Sequence, residues 1–160
     1  KIKSKLPFEP VREKEMIKQH YQSIIVQTIC SLLVPFIQLF ALYVIFHGHY
    51  GPGGGFQGGV LLAVSIILQR LYLGDKISYR KFPPRLALAF GATGMLVFGL
   101  AGIVPLAFGG AFLDYANLPL FWVHGAELRA LGILIVEIGI GLAVFGTLVL
   151  IFDNLVGERW

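Results

Sequence analysis

Two stretches of the chain hold groups that could do chemistry. The first is Glu137, eight residues beyond Arg129 and sixteen before Asp153, inside the apolar run from Leu131 to Phe152. A charged side chain at the centre of a membrane-spanning helix costs about 2.5 to 3.5 kcal/mol to insert, and burial disfavours the ionised form. Glu137 should therefore be partnered, protonated, or both. Gly141 lies one turn further along the same helical face and Gly139 nearby, leaving room against the carboxylate for a partner backbone, a water or a cation. Two readings stay open, a group on an ion path and a structural hydrogen bond to a neighbouring helix.

The second stretch runs from His47 to Gly59 and has seven glycines among the twelve residues from Gly48 to Gly59. Gly53, Gly55 and Gly58 spell GxGxxG, but that pattern marks a dinucleotide site only after a strand and before the helix of a βαβ unit. No Lys-Ser/Thr follows the glycines, which excludes a P-loop. The pairs Gly54/Gly58 and Gly55/Gly59 have the spacing that lets helix backbones approach closely in a membrane, and Gly53 belongs to the same packing segment. The functional alternative is an ion or water path lined by free amides at the start of the following helix, with His47, His49 and Gln57.

Other polar residues are weaker marks. Gln27, Gln38, Ser65 and Thr93 read as packing contacts, and Pro35 should bend its helix and free a carbonyl. His47, His49, His124, Glu127 and Asp114 share one side in a four-span topology, but no HExxH or similar frame supports a metal site. Cys30 has no second cysteine to pair with, and no nucleophile and base stand together. The expectation is a chain with no catalytic site, no metal and no cofactor of its own.

These residues need elements to hold them, and the composition says which. Of 160 residues 56% are apolar, the mean hydropathy is +0.77, and 13 Lys+Arg and 9 Asp+Glu make up only 14%, against roughly 25% charged in soluble domains. Four blocks are long enough to span a bilayer: Ile24 to Phe46, about Gly53 to Leu73, Leu86 to Phe108, and Leu131 to Phe152. The expected fold is all-α, an integral membrane bundle of four transmembrane helices with a glycine-rich start to the second. The purely apolar part of that second block, Val60 to Leu73, covers only about 21 Å of helix, so it spans only if the glycines before it are helical too.

Basic residues set the expected orientation. Lys1, Lys3, Lys5, Arg12, Lys14 and Lys18 lie in the amino-terminal tail, Arg70, Lys76, Arg80, Lys81 and Arg85 around the second connection, and Arg159 at the end. Twelve of thirteen thus fall on one side, which puts both termini in the cytoplasm and accounts for the net charge of +4 without nucleic acid. The division is a basic tail (1–22), a four-span domain (23–153) and a short cytoplasmic end (154–160). Residues 9–22 suit a short interfacial helix, or else a solvated or partner-bound tail. The stretch from Gly109 to Glu127 is mostly apolar or aromatic and suits a membrane interface or a protein partner. No short apolar segment with a small-residue cleavage site precedes the first block, so the first span is expected to target the chain itself.

The string Phe46-His47-Gly48-His49-Tyr50-Gly51-Pro52-Gly53-Gly54-Gly55-Phe56-Gln57-Gly58-Gly59 resembles the signature of the MnhB/MrpB family, the B subunit of multisubunit Mrp-type sodium/proton antiporters. The last span, Leu131 to Val144 with its acid before an aliphatic-glycine pair, is similar to that family's last helix, and the resemblance covers about Ile24 to Phe152. It implies a cell-membrane subunit among other membrane subunits, with Na+ or H+ as the transported ion. Similar subunits occur in archaeal membrane-bound hydrogenases and sulfane-sulfur reductases, so it also implies a redox arm reached through the complex. The long basic tail and Gly141, where many bacterial members have a bulkier residue, lean toward that branch. The alternatives are a subunit of a free-standing antiporter and a purely structural interface subunit without an ion path. A self-sufficient channel or enzyme is disfavoured, because one carboxylate makes a poor site alone.

Overall fold

A computed structural model describes residues 23–48, 51–119 and 125–157. The basic tail, His49 and the carboxy-terminal residues from 158 lie outside them, as does His124. Every regular element among the described residues is helical: α1 (Ile24–His47), α2 (Gly55–Leu73), α3 (Asp75–Lys81), α4 (Pro84–Ala107) and α5 (Ala126–Gly157), with a 3-10 turn at Tyr115–Asn117. α1, α2, α4 and α5 are each long and apolar enough to cross a membrane. With the apolar faces of α1 and α4 left uncovered, from Leu32, Phe36 and Leu39 to Leu88, Met95 and Leu96, this is a multi-pass membrane protein.

Local chemistry sets the helix limits. Pro84 opens α4 at a position where its missing N–H costs nothing. Gly74, with φ +76°, ends α2 by turning its N–H onto the Arg70 carbonyl at 3.0 Å. The chain then re-enters a helix at once, and the seven-residue α3 replaces what the sequence suggests is a plain connection. The last helix also outruns its apolar block, starting at Ala126 rather than Leu131 and ending at Gly157 rather than Phe152. The apolar block marks where lipid is met, whereas Glu127 and Arg129 continue the helix beyond it.

The helices pack as a row in the order α1, α2, α5, α4. Neighbours meet through small residues, because lipid is as apolar as leucine and helices in it gain mainly by close backbone approach. Gly58 of α2 faces Ala41 and Ile45 of α1. Gly55 and Gly59 of α2 face Glu137 and Gly141 of α5, so these two helices run parallel. Gly94 of α4 sits on Gly139 and Ala143, and Gly146 of α5 sits on Ala87 and Gly91, which makes that pair antiparallel. Ala63, Ile66, Ala87, Phe145 and Val149 form the core where α2, α5 and α4 meet. Phe145 packs there with its ring centroid 5.5 Å from that of Phe82 and 5.6 Å from that of Phe90.

The loop after α4 folds back on the row. Phe112 covers Gly102 and Tyr115 covers Gly132, while Asp114 accepts from the Ala116 N–H at 3.3 Å and from Asn117 Nδ2 at 2.7 Å. The acid that sequence reading could set among metal ligands is thus committed to capping its own turn. A Cβ at Gly94 would run into the Ala143 backbone, whereas one at Gly99 meets nothing within 4 Å. Gly94→Ala is expected to destabilise the chain by about 1–3 kcal/mol, and Gly99→Ala to change it by under about 0.5 kcal/mol, read from thermal unfolding in detergent.

Candidate functional site

α5 carries Glu137 six residues, about 9 Å, inward of Leu131. At that level α1 has just ended and α2 begins. Gly53 and Gly54 are not helical, and Gly54 has φ +141° and ψ −177°, a conformation essentially reserved for glycine. The sequence condition that every glycine of the segment join the second helix is therefore met only from Gly55 onward. The chain crosses from α1 to α2 at a depth where Glu137 is already inside the apolar run of α5.

The glycines bring the backbones against the acid. A Cβ at Gly48 would stand 2.9 Å from Glu137 Oε1, one at Gly54 3.4 Å from it, and one at Gly55 would overlap the Glu137 carbonyl. A Cβ at Gly141 would stand 3.1 Å from the Gly55 carbonyl oxygen and 3.3 Å from Ile45 Cδ1. Glu137 Oε2 is buried and has no hydrogen-bond partner among the described residues. The carboxylate lies where the last carbonyls of α1 and the first amides of α2 come to an end, and those groups lack partners within their own helices. The Gly58 N–H is taken by the Gly54 carbonyl at 3.0 Å. A carboxylate with one buried oxygen that has no partner among the described residues can hold a proton or ligate a cation.

Of the residues singled out from sequence, the structure gathers Glu137, Gly141, Gly54 and Gly55 at this point, with Gly59 one turn below. Gly58 serves the other face of α2, and Gly53 lies against Val44. His47 and Gln57 stand outside. The His47 ring is exposed and stacks on Tyr43 at 4.4 Å between centroids. Gln57, also exposed, lies on the side of α2 away from Gly55 and Gly59, because two residues of helix turn a side chain by about 200°. His49 lies outside the described residues. Among the described residues, glycine backbone rather than the His47 imidazole or the Gln57 amide stands beside the acid.

Sequence reasoning missed a second charged site at the other end of the α2–α5 seam. Arg70 is 2% exposed and Asp153 8%. Their contact is two-pronged, Nε to Oδ1 at 2.5 Å and Nη2 to Oδ2 at 2.8 Å. Nη2 also donates to the Phe82 carbonyl at 3.2 Å and Nη1 to the Ser78 hydroxyl at 3.3 Å, while the Tyr79 ring lies 4.5 Å from the guanidinium carbon. Reading Arg70 only as a basic flank hid this role. The available signal was its place four residues before Gly74, inside the end of the second span, on the same side as the acid that ends the fourth.

Four spanning helices joined by glycine contacts define a class: multi-pass helical membrane proteins. The family described as "Domain related to MnhB subunit of Na+/H+ antiporter" matches residues 25–150, and the chain belongs to it. Among curated proteins, those named "Putative antiporter subunit mnhB2" from Staphylococcus aureus strains Newman and JH1 are each 30% identical over 138 residues, covering 85% of this chain and 96% of theirs.

The glycine contacts predict how Glu137 is shielded. In Gly55→Ala the added methyl must part α2 from α5, so a lipid-soluble carbodiimide is expected to label Glu137 faster than in the parent. Gly51→Ala, whose Cβ meets nothing within 4 Å, is expected to leave that rate unchanged, as read by mass spectrometry of the labelled peptide.

Proposed function

We propose that this chain is a membrane subunit of a multisubunit sodium/proton antiporter module and contributes to its Na+/H+ translocation through Glu137, with both termini in the cytoplasm. One observation carries the reading: a buried carboxylate oxygen of Glu137 without a hydrogen-bond partner among the described residues, beside the non-helical Gly54 that precedes α2. Irregular backbone at that depth is tolerated only where protein or a water-filled cavity covers it, and acids inside membrane spans mark ion pathways. The carboxylate takes up a proton or binds Na+ and releases it when the other ion arrives. Membership of the MnhB family supports the antiporter assignment and the presence of neighbouring membrane subunits. The orientation rests on the basic residues of the tail and of the α2–α4 connection.

The assembly we favour joins the antiporter module to a redox arm of the hydrogenase or sulfane-sulfur reductase type. The long basic tail and Gly141 support that branch over a free-standing antiporter. This chain would supply no catalytic group to such an arm. Purification from the native membrane, with identification of the proteins that accompany it, tests this reading; antiporter subunits alone would overturn it.

A structural second reading draws support from the glycine contacts themselves, which would make the same seam in a subunit that moves no ion. The assembled complex, reconstituted in vesicles, separates the two. Glu137→Gln, nearly equal in size, is expected to abolish sodium-dependent proton movement at normal complex yield. Full movement in that variant, with yield falling only in Glu137→Ala, would establish the structural role instead.

A further inference from the structure

The α2–α5 seam has the same offset along its length. Gly55 lies against Glu137, Gly59 against Gly141 and Arg70 against Asp153, pairs separated by 82, 82 and 83 positions. That is the signature of two parallel helices held in one register.

The apolar part of the seam opposes a one-turn slip by a single methyl, that of Ala63. Gly55, Gly59 and Ala63 repeat a small residue every four positions. A slip of one turn would set Gly59 against Glu137 and Ala63 against Gly141, where a Cβ would run into the Gly141 carbonyl oxygen and α2 and α5 would have to part to take it. Small-residue ladders permit close approach but distinguish poorly between neighbouring registers. The charged pair does distinguish them. A slip of four residues, about 6 Å, would pull the guanidinium off the carboxylate and leave two buried charges without each other. It would also strip Arg70 from Ser78 and the Phe82 carbonyl, which tie it to the connection between α2 and α4.

We propose that Arg70 and Asp153 pin the register of α2 on α5, so that Arg70 is a positioning residue for Glu137. The pair acts across the membrane by fixing which α2 residue meets the acid, as a buried polar contact fixes the register of a coiled coil. The inference rests on the reading of Glu137 as the ion-handling group.

The test uses the assembled complex in vesicles, with nitroxide labels on ketone-bearing residues at positions 56 and 133. Both positions are exposed, and the labels report the offset of α2 along α5. Arg70→Gln and Asp153→Asn are expected to shift the label distance by up to about 6 Å and to lower sodium-dependent proton movement roughly tenfold. The milder Arg70→Lys, which keeps the charge without the fork, should fall between these and the parent. The exchange of Arg70→Asp with Asp153→Arg should restore both readouts in part.

Unchanged distance with lost transport would make the pair act directly and overturn the pin. Shifted distance with full transport would show that register does not matter to the ion path. Should every variant at the two positions fail to accumulate while Glu137→Gln complex accumulates normally, the pair would be an assembly determinant and the positioning role would be overturned. Failure of the Glu137 reading shows separately, as full transport in Glu137→Gln while the distance shift in the pair variants persists.

Discussion

The structure depends on how closely two helix backbones can approach inside lipid. Water drives no association there, so helices hold to one another by contact and by whatever polar groups they share. Each interface of the row meets that constraint with glycine: Gly58 toward α1, Gly55, Gly59 and Gly141 between α2 and α5, and Gly91, Gly94, Gly139 and Gly146 between α4 and α5. Close approach also makes the site. With no side chains at positions 48, 54 and 55, backbone comes up beside Glu137.

The seam carries charge at two levels, handled in opposite ways. At Asp153 the carboxylate meets a guanidinium whose remaining donors have a hydroxyl and a carbonyl to bind, so the charges are compensated within the chain. At Glu137 one oxygen has no such partner among the described residues. Between the two lies the aliphatic and aromatic core of Ala63, Ile66, Phe145 and Val149. A buried acid that is fully satisfied serves shape; one left with an unused oxygen is available to something else.

Much of this was legible in the sequence. Apolar runs of about twenty residues gave the spans because bilayer thickness acts directly on composition. Glu137 stood out because acids are rare in such runs. What the sequence could not display was tertiary. Gly54 and Gly55 read alike as letters, yet one takes a conformation closed to other residues and the other begins a helix. His47 and Gly48 are adjacent, but the imidazole stacks on Tyr43 while the glycine meets the acid. Arg70 and Asp153 are 83 positions apart, and each looks like an ordinary charge at the end of a span until the parallel packing of α2 on α5 joins them.

The row is not level. α2 has 19 residues and α5 has 32, about 28 Å against 48 Å of helix, and α2 starts only where Glu137 is reached. Next to α2 the helical wall therefore stops short of the height it reaches at α5. Hydrocarbon about 30 Å thick meets that lower wall by thinning or by tilting the protein. Acyl-chain length thereby becomes a condition on how deeply the acid is submerged, and lipid composition joins ion concentration among the variables that govern it.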